Sequence, residues 1–300
     1  MSIKNFLLKF IKKEAYQELK NQERIKNDKI IFEKKYRNII DNVQKKIINK
    51  KSLNFLHSGH AADIVNVLPV LQELGKSHDC NLFVNINKPI KFYYKHPAGK
   101  HFLNKQLFNM LKPLIAPQKY IKNFEIYNNQ EIDINFDLIR DLPINILFDN
   151  TRYASTITGV HPDLTNKFIE AENHDEFKDY VAIQRTFRYR NQFIDYSFLN
   201  NFDKLLFIGI EEEFEDLKKV VTNLEFYNCK DFMDMAKIIK SSKLTLANSS
   251  IAFPIAEGLK VPRLLEACPY FPAAQPHGNL GYDFYFQSQF ELLFEKLYNI

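Results

Sequence analysis

From Tyr180 to Tyr298 the sequence alternates short strand-like runs with helix-periodic ones, and this alternation limits the folds open to it. Strands are expected at Tyr180–Gln184, Lys204–Ile210, Leu224–Tyr227, Leu244–Ala247 and Arg263–Ala267. Helices are expected near Phe193–Asn201 and at Glu212–Val221, Phe232–Lys240, Ala252–Leu259 and Gln289–Tyr298. Such a chain buries both faces of its strands in a mostly parallel sheet, with helices on each side and right-handed crossovers. The fold class is α/β, and in parallel sheets ligands sit beyond the carboxyl ends of the strands.

The earlier half has the same grammar. Leu53–His57 reads as a strand, followed by the small-residue turn Ser58-Gly59-His60-Ala61-Ala62-Asp63 and one helix with Ile64, Val67, Leu68, Leu71 and Leu74 on its apolar face. Cys80–Ile86 reads as a second strand and His101–Leu111 as a helix, with further strand-like runs at Phe124–Tyr127, Ile132–Phe136 and Ile144–Phe148. The segments Asn87–Gly99 and Asn150–Asp163 read as long polar loops suited to binding. The acidic stretch Glu170–Glu176 reads as a linker, so the expected organisation is 1–50, 51–172 and 173–300, the last two facing each other across a cleft.

The 300 residues are 45% hydrophobic, enough for real cores. Cys80, Cys229 and Cys268 are widely spaced, which argues against a disulfide framework and a zinc site. Without a signal segment or an apolar run long enough to span a bilayer, a cytoplasmic location is expected. The basic excess lies in residues 1–50, and the rest is net acidic. This first segment lacks Pro and Gly and reads as one long or two shorter helices, with Phe6, Leu7, Phe10 and Ile11 beside Lys4, Lys9, Lys12 and Lys13. It fits a peripheral contact with an anionic membrane surface, or a helix packed on protein. Nucleic acid is not an expected partner, because the basic run has no interleaved aromatics and the body is acidic.

Three polar clusters follow strands. The first is the Ser58–Asp63 turn. The second is Arg185-Thr186-Phe187-Arg188-Tyr189-Arg190-Asn191, whose guanidiniums suit phosphate oxygens if they face the cleft, or form a solvated basic loop if they do not. The third, Asn248-Ser249-Ser250, caps a helix whose N–H groups favour an anion, and Glu257 on that helix suits a ribose diol or a salt bridge.

Taken in order, Ser-Gly-x-x-x-Asp-Ile-x-x-x-Leu-Pro-x-Leu, Arg-Thr-x-Arg-Tyr-Arg-Asn, Phe207–Glu213 and Asn-Ser-Ser…Ile-Ala-Glu-Gly-Leu-Lys-Val-Pro resemble bacterial glycosyltransferases of the ADP-heptose:lipopolysaccharide heptosyltransferase type. The resemblance covers roughly residues 52 to 298. It implies a GT-B fold, two Rossmann-like domains facing a cleft, with the acceptor on the first and a nucleotide-sugar donor on the second. It implies an inverting enzyme of surface-glycan or lipopolysaccharide biosynthesis, with Asp63 as catalytic base and Arg185, Thr186 and Arg188 on the donor phosphates. Ala62 stands where the family has Gly, and Asn248-Ser249-Ser250 replaces its Asp-Thr-Gly-x-x-His segment, removing one acid and one imidazole.

The residues suit that chemistry. A carboxylate takes the proton of an attacking hydroxyl, and Arg side chains with helix N-termini offset the growing diphosphate charge. The candidate catalytic residues are Asp63 and His60, with Ser58 and Gly59 on the acceptor side. The candidate donor residues are Arg185, Thr186, Arg188, Arg190, Asn248, Ser249, Ser250 and Glu257. No Asp-x-Asp motif is present, so metal independence is expected, with a nucleotide-sugar as substrate and no cofactor. Two other classes remain open: a non-catalytic GT-B-shaped nucleotide- or sugar-binding protein, and an epimerase or oxidoreductase. The latter is disfavoured because no Gly-x-Gly-x-x-Gly follows a strand.

Overall fold

The computed structural model describes residues 12–90, 96–144 and 149–300. The apolar face Phe6–Ile11, residues 91–95 of the Asn87–Gly99 segment and most of the Ile144–Phe148 run lie outside them. The basic segment forms helix α1 (Lys13–Ile31), a π-helical stretch at Phe32–Tyr36 and helix α2 (Arg37–Asn49). No residue of α1 is buried, whereas α2 docks through Val43. Gln44 Nε2 donates to the Thr158 carbonyl, Lys50 Nζ lies 2.6 Å from Asp133 Oδ1, and the His78 ring meets the Ile47 carbonyl at 2.8 Å. Residues 37–49 are therefore part of the body.

Strand β1 (Ser52–His57) leads into helices α3 (Ala61–Val65) and α4 (Leu68–Leu74). One helix was expected here; Pro69 splits it, because proline lacks the N–H an interior turn needs and fits a first turn. Strand β2 (Asp79–Val84) precedes helix α5 (Lys105–Ile115), which starts later than expected because the Asn104 side chain caps it, accepting from Leu107 N at 2.9 Å. Strands β3 (Ile121–Ile126) and β4 (Ile134–Asn135) complete a parallel sheet of order β3-β2-β1-β4. After β4 the chain turns into a 3-10 helix at Phe136–Arg140. The segment expected as a loop after Asn150 holds a 3-10 turn and helix α6 (Tyr153–Thr158), closed by Gly159 at φ 66°.

The second sheet contains β5 (Val181–Gln184), β6 (Leu205–Phe207), helix α7 (Glu211–Lys218), β7 (Leu224–Phe226) and helix α8 (Phe232–Ser241). It continues with β8 (Leu244–Asn248), helix α9 (Ala252–Leu259), β9 (Arg263–Glu266), β10 (Gly281–Phe284) and helix α10 (Gln287–Tyr298). All pairings are parallel, in the order β10-β9-β8-β5-β6-β7. β10 was not anticipated, and the helix expected near Phe193–Asn201 is a 3-10 helix over Tyr196–Asn201, begun by Asp195 accepting from Ser197 N at 2.8 Å.

The two halves share one buried apolar cluster that runs from Leu53, Phe108 and Leu111 to Met235, Ile239 and Phe253. Helix α5 packs against α8 across the junction. Phe168 and Ile169 donate their N–H groups to the Gly258 carbonyl at 2.9 and 3.0 Å, with Ile169 where a Cβ on Gly258 would lie. Contact at the base leaves a cleft above it, between the carboxyl ends of the two sheets. Among the described residues no helix is long and apolar enough to cross a membrane.

Candidate functional site

The cleft holds two adjoining cavities, of about 250 Å³ and 450 Å³. The smaller is walled by His57, Asp63 and Arg140 on one side and by Tyr189, Phe253 and Phe271 on the other. The larger lies between α5 and the ends of β5, β6 and β7, with an apolar floor of Leu107, Met110, Phe226, Phe232 and Met235 and the acids Glu211 and Glu213. His60, Arg188, Tyr189, Ser249 and Ser250 line both, so these residues mark the junction.

Asp63 is the third residue of α3, and its Oδ2 accepts from His60 N at 3.0 Å, reaching back to the cap as a capping acid does. The same oxygen lies 3.1 Å from Arg140 Nη2. Burial pushes the Asp63 pKa up, but Arg140, His60 and His57 more than offset this and the net shift is downward. Arg140 Nη1 donates to Asp137 Oδ1 at 3.0 Å, Lys88 holds Asp137 Oδ2 at 2.8 Å, and Ser58 N donates to Asp137 at 2.9 Å. Asp137 also titrates below its usual range: His57, Lys88 and the bond from Ser58 outweigh the effect of burial. This alternating chain of charge fixes the floor of the smaller cavity.

Gly59 is required there for space. A Cβ on it would fall 2.5 Å from His57 Cε1, 2.6 Å from Asp63 Oδ2 and 2.8 Å from Arg140 Nη2. His57 accepts from Gly59 N through Nδ1 at 2.8 Å, and burial drives its pKa down to about 4. His60 sits across from the second half. Its Nδ1 meets the Phe102 carbonyl at 2.8 Å, so Nδ1 carries the proton and Nε2 offers a lone pair, 3.4 Å from Arg188 Nη1. Burial, ahead of the nearby charges, lowers its pKa as well.

On the other wall, Asn248 at the end of β8 clamps the end of β5. Its Oδ1 accepts from Thr186 N and Oγ1 at 3.1 and 3.2 Å, and its Nδ2 donates to the Thr186 carbonyl at 2.9 Å. Gln184 takes the capping role assigned by sequence to Asn248 or a serine: its Oε1 accepts from Ala252 N at 2.9 Å and Ser250 Oγ at 2.6 Å. Arg188 lies over the Tyr189 ring, 4.2 Å from its centroid.

Of the candidates read from sequence, Asp63, His60, Thr186, Arg188, Ser249 and Ser250 line the cavities. Arg185 does not. Its guanidinium is buried against Glu266, with Nε and Nη2 at 2.8 and 3.0 Å from the carboxylate, and stacks 4.1 Å from the Tyr196 centroid. A guanidinium held this way holds the protein together and is not offered to a phosphate. Arg190 lies over Phe187 and pairs with Asp216 at 2.5 Å. Glu257 is a buried ion-pair partner of Arg263, at 2.5 Å, and of Lys260, and it accepts from His277 N, which removes it from a ribose. Ser58 is buried behind the cavity, its backbone tied to Asp137. His277 pairs with Asp149 at 2.9 Å, joining the two halves. Arg140 and Gln184 escaped the sequence reading, because neither stands in a motif and the fold alone brings them to the turn and the α9 cap. Among the described residues no group of three His, Cys, Asp or Glu side chains is placed to hold a metal.

No protein-family model matches the sequence, and no curated protein sequence matches it. Solved structures do match in fold. A family 9 glycosyl transferase from Veillonella parvula aligns with a TM-score of 0.52 at 11% identity, over 83% of this chain and 90% of that one. The iron-containing dodecameric glycosyltransferase TibC from enterotoxigenic E. coli aligns at 0.51 and 12% identity, over 77% of this chain; the alignment spans 62% of TibC. A second TibC structure, in complex with ADP-D-β-D-heptose, aligns at 0.51 and 13% identity, over 78% of this chain and 63% of that one. The likeness is one of fold, and this chain has the GT-B architecture of two facing α/β halves.

Proposed function

We propose that this protein is a glycosyltransferase that moves a sugar from a nucleoside-diphosphate sugar to a hydroxyl of a glycan or glycolipid. The observation that carries the reading is the placement of Asp63 and Arg188 on facing halves of a GT-B cleft, both on the smaller cavity, with Arg188 also on the larger one. The larger cavity takes the nucleoside, with its apolar floor under the base and the lining carboxylate of Glu211 as the acceptor for ribose hydroxyls. The diphosphate lies at the junction beside Arg188, and the acceptor enters the smaller cavity.

Transfer would proceed by in-line displacement. The acceptor oxygen forms a bond to the anomeric carbon as Asp63 takes its proton, and the bond to the diphosphate breaks with its electron pair leaving on the nucleoside diphosphate. Arg140 and His60 N hold Asp63 through Oδ2, so Oδ1 is the oxygen for the proton. Arg188 offsets the charge on the leaving group. Displacement in this manner inverts the anomeric centre and calls for no metal from the residues placed here.

One observation favours a second reading, a GT-B-shaped binding protein without transfer: Asp63 already serves a cap and an ion pair. Asp63→Asn separates the two, because only the enzyme reading expects sugar transfer or donor hydrolysis to vanish while nucleotide binding stays. The wild type should be stabilised in a thermal-shift panel of ADP-, GDP-, UDP- and CMP-sugars. The basic segment is proposed to rest on anionic lipid; α1 can be removed to test this by vesicle co-sedimentation, but α2 cannot, because Val43 is in the core.

A further inference from the structure

We propose that the C-terminal half carries a carbohydrate-binding apron, leading out of the smaller cavity, that holds the non-reacting sugar rings of the acceptor. The inference rests on the reading of that cavity as the acceptor site, which both halves line: the reacting hydroxyl stays beside Asp63 on the first half, and only the outlying rings cross to the second. Tyr189 and Phe271 line the cavity and stack with centroids 5.8 Å apart at 27°. Phe271 continues into Tyr270, which is 77% exposed and whose hydroxyl accepts from Gln192 Nε2 at 2.9 Å. Gln192 is followed by Phe193, 55% exposed and stacked at 6.4 Å on Phe286, itself 58% exposed. One stacked pair thus lies at the cavity wall and another at the outer surface, with the Tyr270–Gln192 hydrogen bond between them, and large apolar side chains exposed together mark a contact surface.

These rings come from three separate loops, and one buried residue ties the loops together. Asn191, 0% exposed, donates through Nδ2 to the Ala267 carbonyl at 3.2 Å and the Tyr285 carbonyl at 2.9 Å, and its Oδ1 accepts from Phe193 N at 2.9 Å. Its own N–H donates to Glu266 at 2.6 Å, the carboxylate that Arg185 and Tyr196 also hold. The buried arginine that does not reach a phosphate therefore belongs to the frame that fixes the apron. A surface fixed in advance binds with less loss of side-chain freedom.

The chemistry of the surface selects its occupant. No Lys, Arg, Asp or Glu occurs between Glu266 and Asp283, between Asp283 and Glu291, or between Arg190 and Asp195. In sequence, the charged residue nearest Phe193 is Asp195 and the one nearest Phe286 is Asp283, and neither acid favours an anionic bilayer; among the described residues the one cation on these rings is Arg188, over Tyr189 at the cavity end. Sugar rings present flat C–H faces that stack on aromatic rings, and hydroxyls that pair with a side-chain amide or phenol. Gln192 and Tyr270 supply those polar groups between the rings.

Because the chain has no Trp, Tyr270→Trp in the full-length protein gives a single fluorescent reporter on the apron. Maltohexaose, cellohexaose and chitohexaose are titrated separately. At least one should shift the emission saturably, with half-saturation on the order of millimolar. Adding Phe193→Ala and Phe286→Ala should weaken that response at least about tenfold. Thermal shift by nucleoside diphosphates should be unchanged in every variant. A protein that binds a nucleoside diphosphate but whose emission moves with none of the oligosaccharides overturns the inference. So does an emission shift driven instead by phosphatidylcholine–phosphatidylglycerol vesicles or by protein concentration, which would make the surface a membrane or self-association face. Oligosaccharide binding without any nucleotide binding leaves the apron standing and removes the transfer reading.

Discussion

Asp63 and Arg140, 77 residues apart in sequence, meet through Oδ2 and Nη2 at 3.1 Å on the floor of the smaller cavity. Their pairing keeps the carboxylate ionised and fixes which of its oxygens faces chemistry. The side chains are 34% and 29% exposed, so the pair is a partly solvated one whose main effect is orientation and charge state, with little net stability.

Arg140→Gln should raise the Asp63 pKa, because the opposing charge that offsets its burial is lost. A base must be deprotonated to work, so the acid limb of the kcat/KM–pH profile should move to higher pH. Arg140→Lys should move it less. An unmoved limb in both variants separates Arg140 from Asp63.

Gly59→Ala should destabilise the protein by about 1–3 kcal/mol, because the added methyl meets His57, Asp63 and Arg140 at once. Chemical denaturation measures the loss, and transfer should fall with it, since two of the three displaced groups belong to the proposed site.

His57 is neutral in the folded protein, with its pKa lowered from 6.5 to about 4 by burial. The unfolded chain therefore binds the extra proton first, so this contribution is complete above pH 6.5 and is lost as pH falls toward 4. Its size is on the order of 3 kcal/mol. Replacing His57 with Asn should flatten the rise of stability between pH 4 and 6.5, followed by urea titrations across that window.

Arg185 and Arg188 should part company. Arg185→Ala leaves Glu266 buried without its cation and should cost about 3–5 kcal/mol of stability. Arg188→Ala should leave the melting temperature nearly unchanged and weaken nucleoside-diphosphate binding about 10- to 100-fold. Calorimetry on the two variants checks both outcomes.

That contrast also shows what can be read from sequence here. The α/β class and most of the order of strands and helices from Tyr180 onward follow from hydrophobic period and turn residues; β10 and the 3-10 form of Tyr196–Asn201 do not. The pattern says nothing about which way a loop side chain turns. Arg185 and Arg188 are three residues apart in one loop, yet Glu266, reached only when β9 lies near β5, draws one inward and leaves the other on the cleft. Glu257 was ambiguous for the same reason: its partner Arg263 lies on the next strand and Lys260 just past the helix end. Arg140 carried no local signal, because its role exists only once the 3-10 turn after β4 brings it beside α3.

Whether Asp63 is the base of a sugar transfer is decided by Asp63→Asn. Donor turnover and nucleotide binding are measured on the same preparation, using the nucleotide-sugar that most stabilises the wild type. Turnover should fall by at least about 100-fold, the scale of a lost general base, with nucleotide affinity within about twofold of wild type. Turnover retained at the wild-type level would contradict that role for Asp63.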